Sequence, residues 1–459
     1  MVEYAEGLSA TPAPEGGAGH GRMHRIAAAS LFGTAIEFYD FYVYGMAAAL
    51  VFTHVFFPDL STTSALLASF STFGVAFVAR PLGSMVFGHF GDRLGRKSVL
   101  VVSLLLMGLS TAFVGLLPGY SQWGFAAPVV LVLLRFVQGL GLGGEFGGAA
   151  LLAVEHAPRG HRGKYGSAAQ LGAPLGLLVA TAVFWAMSCA LPNGAFIAWG
   201  WRIPFLLSFA FTAVGLVVRL KVAETPVFRA MAQAQVLSRV PVKEVLRRNP
   251  RELLLGAGAM VVVFCTFYTG SAFCLSYATG ALKIARGDML TISLLGCLTF
   301  AAGIWLSATG SDRIGRKRMM LLGAAVSVPC ALVVFPLMDT RQIVLIALAL
   351  GALNFCTGLT YGPIGAYLPE LFGARIRYTG ASLAYNLGGV LGAAAAPLIA
   401  THLQASFGSF SVGLYMGAAG VVSLACLCFL PETSRRGLGH QPQSPARQAP
   451  ARESAGAAV

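Results

Sequence analysis

Long apolar runs alternate with short polar joints from residue 26 to residue 430. Twelve runs, at 26–53, 63–90, 98–117, 125–153, 165–190, 200–222, 253–280, 289–309, 318–338, 342–368, 377–403 and 411–430, are long enough to cross the ~30 Å hydrocarbon layer as helices. The longest joint, 223–252, holds Arg229, Arg239, Lys243, Arg247, Arg248 and Arg251 and divides the runs six and six. The pattern predicts an all-α polytopic membrane protein with twelve transmembrane helices in two pseudo-symmetric six-helix bundles, 23–222 and 253–431, joined by that loop. Residues 1–22 are rich in Gly, Ala, Pro and Glu and lack the basic start and apolar core of a signal peptide, so they read as a disordered leader. The polar stretch 432–459 reads as a disordered tail.

Composition adds what the pattern cannot. At 56% hydrophobic and 11% charged, with a mean hydropathy of +0.73, the 459-residue chain lies far outside the range of soluble domains. A net charge of +14 would suit nucleic acid, but the basic residues fall in joints between apolar runs rather than along one exposed face. They report orientation instead. Most lie on the face holding both termini, whereas the opposite face has Lys283, Arg286 and Arg341, with Arg202 at a boundary. The positive-inside rule then puts both ends in the cytoplasm of a multi-pass protein of the bacterial inner membrane. Eight cysteines lie in apolar runs with no CxxC pair and no nearby histidine cluster, which indicates neither a metal site nor a disulfide framework.

Two joints are copies. GHFGDRLGRK, Gly88 to Lys97, recurs as GSDRIGRK, Gly310 to Lys317. Each reads as a tight basic turn clipping two helices at one membrane face. In the first copy Gly91 and Gly95 permit compact backbone angles, Asp92 suits an adjacent helix N-terminus, and Arg93, Arg96 and Lys97 supply inside positive charge, with Asp312, Arg313, Gly315, Arg316 and Lys317 the matching residues of the second copy. Glu155 with Arg162, and Glu370 with Arg377, share a second spacing between the halves. Such internal repeats are expected of a transporter whose site lies between two related bundles.

Five charges lie within the spans: Glu37, Asp40, Arg80, Arg135 and Glu145, all in the first half. Each costs about 2.5–3.5 kcal/mol at a helix centre, so each needs a partner or a wet cavity. In span one Gly33, Glu37, Asp40 and Tyr44 share a face, and in span four Arg135, Gln138 and Glu145 do. Arg80 lies ~18 Å along its helix from the Asp92 turn, at midplane depth, where a planar guanidinium can hold a substrate carboxylate bidentately. Gln138, Gln170, Tyr361, Tyr385 and Asn386 are further cavity candidates. Gly139, Gly141 and Gly144 match GxGxxG, but inside an apolar helix with no preceding strand, and Arg316 replaces the lysine a phosphate loop needs. No nucleotide site is indicated, so the energy comes from a gradient.

The strings IEFYDFYVYG, FVARPLGS, RFVQGLGLGGEFGGA, WGWRIPF and PELFGARIRYTGASLAYNLG, with the paired joints, resemble the metabolite:proton symporter branch of the major facilitator superfamily over residues 24–434. That resemblance implies alternating access, no enzyme activity and no cofactor beyond the coupled proton. It implies uptake of a small substrate, an organic acid, shikimate or an osmolyte, by a monomer in the bilayer. By resemblance to the related sugar porters, Asp40 and Arg135 are a proton-coupling pair, with Glu37 and Glu145 able to share the role. Arginine stays protonated, so the carboxyl must carry the proton. The alternative is proton-coupled drug or metabolite efflux, for which Arg-x-x-Gln-Gly in span four and Gly172-Ala-Pro174-Leu-Gly176 in span five speak. The full glycine-proline motif of efflux members is absent. A sensor of the same fold would leave the intramembrane charges without a purpose.

Overall fold

A computed structural model describes residues 18–94, 96–143, 151, 154, 157–158, 160–221, 241–373 and 376–434. Side chains at 18–26, 29, 88–89, 91–94, 96–98, 218–219, 221 and 241 lie outside that description. The helices are α1 (Ala18–Leu50), α2 (Thr62–Leu94), α3 (Arg96–Leu116), α4 (Ala126–Gly143), α5 (Arg162–Ala190), α6 (Arg202–Lys221), α7 (Pro250–Gly280), α8 (Arg286–Ile314), α9 (Arg316–Asp339), α10 (Ile343–Glu370), α11 (Arg377–Phe407) and α12 (Ser409–Phe429). Among the described residues ten helices are long and apolar enough to span a membrane, and a pair bent by 43°, Asn193–Gly200 with Arg202–Val217, makes an eleventh. The twelfth is α1, whose Glu37 and Asp40 make it too polar to be found by apolarity alone.

The two halves pack by the same rule. Helix α1 lies on α5, α2 on α4 and α3 on α6, and correspondingly α7 lies on α11, α8 on α10 and α9 on α12. Between the halves α5 meets α8 and α2 meets α11, again a symmetric pair. In lipid no hydrophobic force drives helices together, so close van der Waals approach must do it, and small residues permit that approach. A Cβ at Gly143 would lie 2.7 Å from Ser84 N and 2.9 Å from Gly83 Cα of α2. Gly358 of α10 stands in the same relation to α8, with Gly303 Cα 3.0 Å from where its Cβ would be.

Three expectations are corrected. The first helix begins at Ala18, inside the stretch expected to be a disordered leader, and runs through Gly19 and Gly21 with no proline to stop it. The joint between the halves contains a short helix, Pro241–Arg248, with Glu244 in its first turn and Arg247 and Arg248 in its last, which suits the helix dipole. The repeated Asp-Arg-x-Gly string is also not a loop. Asp312, Arg313 and Ile314 finish α8, Gly315 alone makes the turn at φ 114°, and Arg316 starts α9. Only glycine adopts that angle without strain. In the first copy α2 runs to Leu94 and α3 starts at Arg96, while residue 95 and the side chains of Gly88, Asp92, Arg93, Arg96 and Lys97 lie outside the described residues.

Because Gly143 has no room for a side chain, Gly143→Val should force α2 and α4 apart at a cost of about 1–3 kcal/mol. Gly33 has nothing within 4 Å of its missing Cβ, so Gly33→Ala should be neutral. Thermal unfolding in detergent should show a lower midpoint for the first variant only; equal midpoints would disprove the close contact.

Candidate functional site

Three helices of the second half break beside one another. Helix α7 widens to a π turn at Thr269–Phe273, α10 is interrupted after Tyr361 at Gly362-Pro363, and α11 widens at Val390–Ala394. Breaks of this kind release backbone groups and re-aim side chains. The side chains re-aimed here are aromatic. Phe264, Phe267 and Tyr268 of α7, Phe300 of α8, Tyr361 of α10 and Tyr385 of α11 face Phe38 and Tyr42 of α1 across a narrow cavity. The Tyr361 and Tyr385 hydroxyls lie 3.0 Å apart.

Arg80 lies beside the residues that line this cavity. Its guanidinium rests 4.3 Å from the Phe41 ring centroid and 4.4 Å from that of Phe77, and it acts electrostatically on Tyr42, Tyr268 and Tyr385, with a side-chain hydrogen bond to Tyr268. It is 3% exposed, and its Nε has no hydrogen-bond partner. Glu37 is buried on α1 and acts on Tyr385 from the same side.

Asp40 and Arg135 lie inside the first half rather than in the cavity, both fully buried. They do not form an ion pair. The Arg135 guanidinium is stacked against Tyr44 at 4.0 Å, Phe41 at 4.3 Å and Phe73 at 5.1 Å, and its Nη1 donates a short hydrogen bond to Gln138 Oε1. Gln138 Nε2 donates to Thr111 Oγ1 at 2.8 Å and to the Asp40 carbonyl at 3.4 Å. Neither Asp40 carboxyl oxygen has a hydrogen-bond partner, although the hydroxyls of Ser208 on α6 and Thr111 on α3 lie beside the group.

The other expected residues are dispersed. Tyr361 and Tyr385 line the cavity, whereas Gln138 is spent on the Asp40–Arg135 cluster. Gln170 packs against Gly365 of α10. Asn386 ties α11 to the first half, its Nδ2 donating to Ser84 Oγ at 2.6 Å and to the Gly143 carbonyl at 3.2 Å. Glu145 and Glu155 lie outside the described residues. Phe38, Tyr42, Phe264, Phe267, Tyr268 and Phe300 went unnoticed in the sequence. Their signal was the spacing 264, 267, 268 on one helix face beside a Thr-Gly-Ser break.

Both faces of the cavity are closed. On the face holding the described ends, Asp312 of α8 caps α5 of the other half, accepting from Gly163 N at 2.8 Å and Lys164 N at 2.9 Å. Arg316 binds Asp312 at 2.9 Å and Glu370 at 3.0 Å, and Lys317 Nζ donates to the Cys428 carbonyl, while Arg313 is exposed. Glu432 caps α9, accepting from Arg316 N at 2.9 Å and Lys317 N at 3.1 Å. Burial pushes the Glu432 carboxyl up, but backbone N–H groups of Ser434, Arg316 and Thr433 outweigh it and hold it below the usual carboxylate range. On the opposite face Arg286 of α8 reaches the first half, donating to Ser188 Oγ at 2.8 Å and Asn193 Oδ1 at 2.9 Å with Phe196 stacked at 3.9 Å.

Two pseudo-symmetric helical halves enclosing a closed central cavity define a membrane carrier. A model of the Major Facilitator Superfamily matches residues 30–393. The inner membrane metabolite transport protein YhjE of Escherichia coli is 44% identical over 421 residues, covering 90% of this chain and 96% of that protein. The shikimate transporter of the same species is 37% identical, covering 93% and 99%, and its proline/betaine transporter 30%, covering 91% and 85%. Among solved structures, the proton:xylose symporter XylE superposes with a TM-score of 0.71 at 19% identity, over 90% of this chain and 96% of that one. The chain belongs to the major facilitator superfamily and is a multi-pass transporter, not an enzyme.

Breaking the Asp312 cap should open its face. Arg316 and Glu370 remain buried when Asp312→Ala removes one partner, and losing a buried ion pair costs about 3–5 kcal/mol. With native cysteines replaced, a cysteine at the cavity residue Ala173 should react at least tenfold faster with a thiol reagent supplied from that face. An unchanged rate would show that the cap does not hold the halves together.

Proposed function

We propose that this transporter carries a small organic anion together with protons, as a symporter working as a monomer with both ends in the cytoplasm of a bacterial inner membrane. The observation that carries the reading is Arg80: a buried guanidinium with an unpartnered Nε, beside tyrosines that line an aromatic cavity. A carboxylate satisfies it with parallel hydrogen bonds, and the surrounding rings suit an apolar or ring-shaped body. The relatives named for shikimate, proline and betaine support this, since each of those molecules bears a carboxylate.

Proton coupling is assigned to Asp40. A carboxyl buried without a partner is costly in its charged form, so a change in its surroundings can take up or release a proton. The neighbouring Arg135 supplies a fixed positive charge that can favour ionisation in another conformation. Clustered Lys and Arg on the face of the described ends, set against Lys283, Arg286 and Arg341 opposite, support the orientation.

An uptake screen of proteoliposomes over shikimate, dicarboxylates, oxoacids, aromatic acids and betaines tests the substrate class. Arg80→Ala should weaken the accepted acid at least tenfold, within the ~2–5 kcal/mol typical of truncating a buried charge pair, and Arg80→Lys should recover part. Normal affinity in Arg80→Ala would leave the guanidinium a structural counter-ion and turn the reading toward an uncharged substrate.

Asp40→Asn should abolish accumulation against a gradient while exchange of labelled for unlabelled substrate persists, because it resembles the protonated carboxyl and removes only the driven step. If the variant concentrates substrate as the parent does, the coupled proton is carried elsewhere.

A further inference from the structure

Between Asp40 and Arg135 stands an amide. Gln138 Oε1 accepts the only hydrogen bond that Arg135 makes to a described residue, and Gln138 Nε2 reaches both the Asp40 carbonyl and Thr111, whose hydroxyl lies beside the Asp40 carboxyl. The guanidinium is thereby held against Tyr44, one turn further along α1 than the carboxyl, with Nε and Nη2 unpartnered. The Asp40 oxygens have no hydrogen bond of regular geometry, with only the Ser208 and Thr111 hydroxyls close to them. Two buried, opposite groups within one cluster, both lacking bonds they could give each other, are being kept apart, and a glutamine can do this because it donates and accepts without titrating.

We propose that Gln138 is a positioning residue of the proton step: it holds Arg135 off the Asp40 carboxyl in this closed conformation, so that Asp40 keeps its proton until the halves move and the guanidinium is released to it. On release Arg135 donates to the Asp40 oxygens, the carboxylic O–H bond breaks, and the proton leaves to water at the face that has opened. Arg135 remains charged throughout, so one proton is lost and no other group changes state.

The other groups that act on Asp40 fit this role for Gln138. Glu37 and Tyr39 come from its own helix, α3 and α6 present the hydroxyls of Thr111 and Ser208, and α2 contributes Arg80, which shares the Phe41 ring with Arg135. Helix α5 carries charge only in its first turn, at Arg162 and Lys164, and α7 contributes Tyr268, whose ring meets Phe41 edge to face. Of these neighbours, Gln138 is the one that bonds both Arg135 and the backbone of Asp40.

This rests on Asp40 as the proton site, and infrared difference spectroscopy of the full chain in lipid separates the two claims without needing a substrate. The carboxylic C=O band lost in Asp40→Asn identifies Asp40, and its intensity is followed over a pH series. In Gln138→Leu the freed Arg135 should pair with Asp40, which then holds its proton at least tenfold more weakly than in the parent. Adding Arg135→Leu should abolish that effect, and Gln138→Met, equally unable to bond, should repeat it should the leucine variant not fold. An Asp40 band that titrates as in the parent in Gln138→Leu or Gln138→Met, or a weakening that persists without Arg135, overturns the role of Gln138 alone. Absence of any titrating Asp40 band overturns the proton site, and the role of Gln138 with it.

Discussion

A guanidinium in the middle of a bilayer must be solvated by something, and in this protein it is solvated largely by rings. Placing arginine at a helix centre costs about 2.5–3.5 kcal/mol on insertion scales. A desolvated cation over an aromatic face recovers about 1–2 kcal/mol, so the three rings around Arg135 offset a cost of that size, and the two on Arg80 much of it. Acids are thereby left out of the arrangement. The rings take up much of the cost of both cations, and Arg135 is held without an ion pair to Asp40.

The halves share a scaffold and differ in contents. Matching helix pairs and matching close approaches between backbones build both, yet the described intramembrane charges sit on α1, α2 and α4, while the helix breaks that shape the cavity sit on α7, α10 and α11. The buried charges of the second half, Arg316, Glu370 and Arg377, instead lie at its membrane-face turns, away from the cavity.

The fold was legible because apolarity sustained for about twenty residues has few meanings, and because α1, the span too polar to be found by apolarity alone, is followed by ten that pass and a bent pair that passes together. Charges were legible for the same reason: Glu37, Asp40, Arg80 and Arg135 stand out against an apolar background. The aromatic wall did not stand out, since phenylalanine and tyrosine in a span look alike whether they face lipid or a cavity. Nor could spacing separate Arg135 from Asp40. Resemblance to the sugar porters implied a direct pair, but Gln138 bonds the Arg135 guanidinium and the Asp40 backbone carbonyl instead. Asp312 shows the converse case, an acid expected to sit near a helix N-terminus whose capped helix belongs to the other half, a contact no local pattern encodes.

The segment after α12 has more to do with the closed face than its polar composition implies. Glu432 caps α9, and Thr433, itself buried, donates to Glu370 Oε2 at 2.6 Å, the same oxygen that Arg316 grips. A purification tag or fluorescent fusion that replaces the chain from Glu432 onward would strip the network of two members, Glu432 and Thr433, and leave the first turn of α9 without its cap.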